Sequence, residues 1–193
     1  MLRGEEFFQD YAERLKRTID LTDHGAILRL AQSFRDVWAS GNQLLLCGNG
    51  GSAGNATHLA NDYLYGIAKG KFPGLRVHSL AANSAILTCL GNDLGYSEIF
   101  AEQVKVYARP GDLLGVLSGS GNSPNVVKAL ETAKDMGVKT FAILGYSGGK
   151  CCDLVDIPIH FAVDDMQISE DMQVIVGHML MQWLWANPPQ AGN

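Results

Sequence analysis

Hydrophobic and polar positions along this chain fall into two regimes. Over the first forty residues the apolar positions recur at helical spacing: Phe7, Phe8, Tyr11, Leu15 and Ile19 in one stretch, then Ile27, Leu28, Leu30, Ala31, Phe34, Val37 and Trp38 in the next. The spacing predicts two helices, about Glu5 to Leu21 and Asp23 to Ser40, parted at Thr22 or Asp23 and each with one buried face. From Gln43 onward short, nearly continuous apolar runs alternate with helical patterns. Strands are predicted at Gln43 to Cys47, Leu75 to Leu80, Leu113 to Leu117, Thr140 to Leu144 and Ile157 to Phe161, with a last helix over Ile168 to Trp185. Such strands separated by helices imply a parallel α/β sheet covered on both faces. Right-handed crossovers then bring every loop that follows a strand to one edge, where open α/β folds bind ligands. A doubly wound sheet does not need two leading helices, so part of their surface is assigned to a second subunit.

Two of those edge loops share an unusual composition. The first apolar run ends in CGNGGSA, where Gly48, Gly50 and Gly51 give a tight turn freedom and Ser52 is placed to cap the next helix. A strand that turns into a helix N-terminus this way presents free N–H groups to an anion. The second loop, SGSGNS at Ser118 to Ser123, alternates Ser and Gly. Together they read as a phosphate cradle. Neither is a nucleotide fingerprint: GNGGSA lacks the Lys and hydroxyl residue of a P-loop and the glycine spacing of a dinucleotide turn, so no nucleotide cofactor is expected.

Composition narrows the class. A chain of 193 residues fits one domain with a proper core. A net charge of -5 and a pI near 5.4 argue against a nucleic-acid face. No apolar run approaches a membrane span, and MLRGEEFFQD carries acids where a signal peptide needs an apolar centre, so a cytoplasmic protein is expected. Cys47, Cys89, Cys151 and Cys152 lack metal-ligand spacing and read as reduced thiols.

The candidate chemistry lies on two helices. His58 and Asp62 are four residues apart after the first loop, so they share a helix face. Glu170 and His178, eight apart on the last helix, are about 80° out of phase at ~3.6 residues per turn. Two helices, each offering an imidazole and a carboxylate, make a site for acid–base work or for a divalent metal. His78 and His160 read as hydrogen-bonded strand histidines, His24 as a surface residue at a helix start, and Trp183 and Trp185 as packing residues.

The segments CGNGGSAGNATH, AILTCLGNDLGYSEIF, RPGDLLGVLSGSGNSPNVVKALETAKDMGVKT and GGKCCDLVDIPI resemble the sugar isomerase (SIS) domain family, and within it the phosphoheptose isomerases. The resemblance runs to about Trp185 and implies a three-layer sandwich of the flavodoxin-like or Rossmann-like kind with a five-stranded parallel sheet. It implies a single SIS domain over 1–193, with 1–40 as oligomerisation helices, 41–186 as the α/β core and 187–193 as a frayed tail. It further implies a homotetramer, zinc in some members, and conversion of sedoheptulose 7-phosphate to glycero-manno-heptose 7-phosphate, an intramolecular oxidoreduction of the EC 5.3.1 class. The alternative it carries is a non-catalytic SIS protein that senses a sugar phosphate or binds a replication initiator.

Matched position by position, the resemblance puts substrate contacts at Asn49, Gly50 and Gly51 with Ser52 beside them, at Asn92 and Asp93, and at Glu170. It puts the phosphate on Ser118, Gly119, Ser120 and Ser123, where Gly119 replaces a hydroxyl residue. His58, Asp62, Glu170 and His178 become the metal ligands, with Asp62 for a usual Glu and Glu170 for a usual Gln. The segment before Ser84 also departs, reading Ala81, Ala82, Asn83, Ser84 for a usual Ser-Thr-Asp-Thr. The implied reaction passes through an enediol, with Asp62 as base and His178 as acid on opposite sides of the sugar. Metal binding by those same residues competes with that assignment.

Overall fold

A computed structural model describes residues 4–189. The leading helices are α1 (Glu5–Asp20) and α2 (His24–Ala39), and Asp23 caps α2 by accepting the Ala26 N–H at 3.0 Å. Strand β1 (Gln43–Gly48) leads into α3 (Gly51–Asn61), which widens into one π turn over Asp62–Gly66. Next come β2 (Arg76–Ser79), α4 (Ser84–Asp93), a 3-10 turn (Tyr96–Glu98) and α5 (Ala101–Tyr107). The rest alternates strictly: β3 (Leu113–Ser118), α6 (Pro124–Asp135), β4 (Lys139–Leu144), α7 (Gly149–Leu154), β5 (Ile157–His160) and α8 (Met166–Ala186).

All five strands are parallel, in the order β2-β1-β3-β4-β5. Residues of β1, β3 and β4 alternate between two cores because successive side chains leave a strand on opposite faces. Leu44, Leu46, Leu113, Leu117, Phe141 and Ile143 pack with α2, α3 and α8. Leu45, Cys47, Leu114, Val116, Ala142 and Leu144 pack with α5, α6 and α7. This is the three-layer architecture the apolar runs predict. The direction of winding reverses between β1 and β3, so the loops after these two strands flank the switch point of the sheet.

Two expectations are corrected here. No residue of α1 is buried: Tyr11, Leu15 and Ile19 lean on the core, but Phe7 and Phe8 stand 54% and 72% exposed. Ser52 does not cap α3, since the cap position falls on Gly50 (φ 55) and Ser52 lies inside the first turn, facing α8. The predicted tail at 187–193 falls partly outside the described residues. No helix among the described residues is long and apolar enough to cross a membrane.

Candidate functional site

Helices α3 and α8 are bolted together along their length by three contacts. At the first turn of α3 the fully buried Gln173 donates from Nε2 to Ser52 Oγ (3.0 Å), while Asn55 Nδ2 donates to Gln173 Oε1 and to the Glu170 carbonyl, both at 3.0 Å. One turn on, Leu59 packs against Gly177 so closely that a Cβ at Gly177 would lie 2.7 Å from Leu59 Cδ1. At the π turn the buried Tyr63 hydroxyl donates to the Gly177 carbonyl at 3.0 Å. Close approach at Gly177 is what lets side chains from two helices meet.

They meet as His58, Asp62 and His178. The two imidazole Nε2 atoms are 3.0 Å apart, and Asp62 Oδ2 lies 3.4 Å from His58 Nε2 and 3.3 Å from His178 Nε2. The shorter Asp side chain therefore reaches both rings. Asp62 opens the π turn, with the Ile67 N–H bonded to its carbonyl at 3.0 Å, a local widening of the helix common at functional sites. Ligands ~2.0–2.1 Å from a tetrahedral ion stand roughly 3.3–3.4 Å apart, so these spacings and this borderline donor set suit one divalent ion. Among the described residues these three form a group that could hold a metal. Glu170 is not in it. Its carboxylate lies against the loop after β1, where a Cβ on Gly51 would stand 2.5 Å from Oε1. Asp62 and His178 also sit side by side rather than across a space that a sugar could fill.

The β1 and β3 loops meet at the switch point. Asn49 exchanges two side-chain hydrogen bonds with the buried Asn125 of α6, at 2.9 and 2.8 Å, and accepts a third from the Tyr96 hydroxyl at 3.0 Å. In the second loop Ser118 Oγ accepts the Gly121 N–H at 3.0 Å and Ser120 Oγ accepts the Asn122 N–H at 3.3 Å. Gly121 takes a positive φ of 64, which closes this turn. A hydroxyl that accepts can still donate, so Ser118 and Ser120 keep a proton for an anion. Ser123 precedes Pro124 at the start of α6, and its side chain makes no capping bond. Gly119 is hemmed in: a Cβ there would stand 2.5 Å from Met166 Sδ, so a larger residue needs Met166 to move.

Asn92 and Asp93 are not brought onto Asn49. Asn92 Nδ2 donates to Asp93 Oδ1 at 2.8 Å, and the Cys89 thiol points to Asp93 Oδ2, all at the exposed end of α4. Tyr96, three residues on, makes the contact instead. His160 Nε2 bonds the Tyr146 carbonyl at 2.9 Å, and His78 stacks on Tyr107 at the sheet edge. A cleft of about 400 Å³ lined by Arg14, Arg17, His160 and Asp164 holds none of the candidate residues, and the His58 and His178 side chains stay 48% and 44% exposed. The site is open to solvent in the single chain.

Sequence reasoning passed over Asn125, Gln173, Asn55, Tyr96 and Gly177. A signal existed for one: Gln173 interrupts the buried stripe Ile168, Met172, Val176, Leu180, and a polar residue in such a stripe implies an internal partner.

A family model described as SIS domain matches residues 6–145. A protein named phosphoheptose isomerase from Chlorobaculum parvum is 39% identical over 179 residues, spanning 89% of this chain and 83% of that one. Another of that name from Akkermansia muciniphila is 39% identical over 158 residues, spanning 82% and 83%. The solved structure of a phosphoheptose isomerase from Francisella tularensis superposes with a TM-score of 0.89 at 27% identity, over 96% of this chain and all of that one.

Proposed function

We propose that this chain, which belongs to the SIS domain family and groups with its phosphoheptose isomerases, is an aldose–ketose isomerase that converts sedoheptulose 7-phosphate to glycero-manno-heptose 7-phosphate. The observation that carries the reading is the convergence of His58, Asp62 and His178 within hydrogen-bond range, on two helices bolted to each other, the first of which starts at the loop after β1. A binding module needs the loops and not that cluster.

The phosphate rests on the hydroxyls of Ser118, Ser120 and Ser123 and on the N–H groups of their loop, with Gly119 contributing backbone alone. Asn49, Gly50 and Gly51 hold sugar hydroxyls, and the Glu170 carboxylate beside Gly51 accepts from another. Asn92 and Asp93 reach the sugar only if their mutual hydrogen bond opens. Isomerisation moves one proton between neighbouring carbons and another between their oxygens. Asp62 takes the carbon-bound proton and returns it one carbon along, on the same face of the enediol. His178, 3.3 Å from Asp62 Oδ2, serves the oxygens. That side-by-side placement suits transfer on one face, which replaces the expectation of groups on opposite sides.

His58, Asp62 and His178 are also the residues that would hold zinc, with Glu170 entering the set only by a change of rotamer. When bound, the ion supplies a Lewis acid for the two sugar oxygens. A carboxylate that ligates zinc is a weaker base, so the two roles of Asp62 compete, and metal analysis of protein purified without chelator separates them.

The assembly is a homotetramer in this reading. Phe7 and Phe8 on α1, with Leu94, Val106 and Tyr107 around α4 and α5, form apolar surface that a second copy would cover, consistent with an oligomerising role for residues 1–40. Light scattering gives the order directly. The activity is tested by incubating the protein with sedoheptulose 7-phosphate. Wild type converts it, and His178→Ala lowers turnover at least ~100-fold with the thermal midpoint kept. Wild type that leaves the substrate unchanged with zinc supplied refutes the reading.

A further inference from the structure

The amide of Asn49 is held in one orientation by a chain of donors that starts in the backbone. The Val126 N–H can only donate, and it faces Asn125 Oδ1 at 3.0 Å, which identifies that atom as the oxygen. Asn125 Nδ2 then donates to Asn49 Oδ1 (2.8 Å) while Asn49 Nδ2 donates back to Asn125 Oδ1 (2.9 Å). The Tyr96 hydroxyl donates to the same Asn49 oxygen at 3.0 Å. With two donors received, that oxygen is satisfied, and Asn49 keeps one N–H to offer. Asn125 is 1% exposed, so it shapes the site only through what it holds.

We infer that Asn125 is a positioning residue: it turns the Asn49 amide so that the site gives an N–H donor to an oxygen of the sugar, at a fixed span from the phosphate loop. The inference rests on the isomerase reading above. It follows from where the pair sits, because Asn49 belongs to the β1 loop and Asn125 to the first turn of α6, directly after the Ser118–Ser123 loop. One bonded pair thus sets the distance between the two ends of a sugar phosphate. It also predicts polarity, since a ligand atom opposite Asn49 must accept: a hydroxyl or carbonyl oxygen suits, and a second donor does not. Tyr96, 65% exposed, completes the arrangement from the 3-10 turn.

The test is a double-mutant cycle on turnover of sedoheptulose 7-phosphate, with inorganic phosphate inhibition and thermal midpoints read in parallel. Asn49→Ala and Asn125→Ala are each expected to lower kcat/KM roughly 5- to 30-fold, the loss of one or two placed hydrogen bonds. The double variant is expected to fall no more than about twofold below Asn49→Ala, because a residue that acts through another has nothing left to act on. Asn125→Asp keeps the oxygen that accepts from Val126 and Asn49 but sets a carboxylate oxygen, in place of a donor, against Asn49 Oδ1, so it no longer holds the amide in this orientation and should lose activity as Asn125→Ala does. Tyr96→Phe removes one of two donors and is expected to cost about twofold, while the phosphate inhibition constant stays within twofold in every variant but Asn125→Asp, whose added negative charge beside the loop weakens phosphate by itself. Losses that multiply in the double variant, a normal Asn125→Asp enzyme, or phosphate affinity that falls in step in the alanine variants would each overturn the assignment. Wild type inert towards the heptulose phosphate refutes the isomerase reading instead, whereas active wild type with multiplying losses refutes the relay alone.

Discussion

Substituting Gly177 by alanine tests whether the approach of α3 to α8 is what builds the site. The added methyl would lie 2.7 Å from Leu59 Cδ1, 3.0 Å from its Cγ, and nearer still to Cδ2. Carbon atoms rest at about 3.5–4.0 Å, so the overlap takes in most of a side chain that is only 2% exposed. Leu59 has no open space to turn into, and the helices must part by up to about 1 Å. Overpacking of this kind costs about 1–3 kcal/mol. For a chain of this length each kcal/mol lowers the midpoint by roughly 2–4 °C, so calorimetry should register a fall of roughly 2–12 °C. The second effect is local: a ligand set spaced at 3.0, 3.3 and 3.4 Å opens, and competition against a chelating dye should show zinc bound 10- to 100-fold more weakly by order of magnitude. Leu59→Ala alone removes buried methyls and costs about 2–5 kcal/mol. Combined with Gly177→Ala it makes room for the new methyl, and the pair should cost at least about 1 kcal/mol less than the sum. An alanine variant with unchanged midpoint and metal affinity, or a strictly additive pair, would refute the reasoning.

Further outcomes follow from other contacts. Asp62→Ala removes the carboxylate from between both imidazoles, and is expected to lower turnover at least ~100-fold and to abolish zinc retention on dialysis, which metal analysis reads. Asp165→Ala strips α8 of the oxygen that accepts the Ile168 N–H at 3.0 Å and of the ion pair with Arg14, a loss of about 1–2 kcal/mol. The Ile168 N–H first, and Arg14 after it, hold the Asp165 carboxyl below its ordinary value. Its stabilisation is therefore complete above the ordinary carboxylate range and fades as pH falls through the lowered one. The variant should lose less stability than wild type below about pH 4, and parallel acid-unfolding curves would contradict this. Among the thiols, Cys47 and Cys151 are buried, and burial pushes Cys151 up to about 12, so a disulfide reagent should reach exposed Cys89 first. The hydrogen bond to Asp93 raises the Cys89 thiol, so Asp93→Asn should speed that reaction, and an unchanged rate would deny the contact.

Much of the fold could be read in the order of residues, because its signals are local. The apolar runs located all five strands to within two residues at each end, as Gln43–Gly48 and Lys139–Leu144 show; β1, β3 and β4 are covered on both faces and read as continuous apolar runs, while the edge strands β2 and β5 alternate buried and exposed residues. The pairing of His58 with Asp62 was likewise fixed by their spacing along one helix. Ser52 was misjudged for a related reason: a serine at the mouth of a helix is a good cap in isolation, and only the buried Gln173 on α8 draws its hydroxyl the other way.

What the sequence alone determined was the sheet, its two loops and the residue types able to hold a phosphate and to do acid–base or metal chemistry, all consequences of period, turn chemistry and spacing within one element. What only the tertiary structure decided was which of those residues meet. Helix α8 follows the whole sheet, and its rotation against α3 is set by Gly177 and Gln173, which lie more than a hundred residues along the chain from their partners. That rotation brings His178 to His58 and sends Glu170 to Gly51. The same holds for Asn125, whose amide orients Asn49 across the switch point from another loop. Contacts between elements depend on packing distances that no spacing within one element encodes.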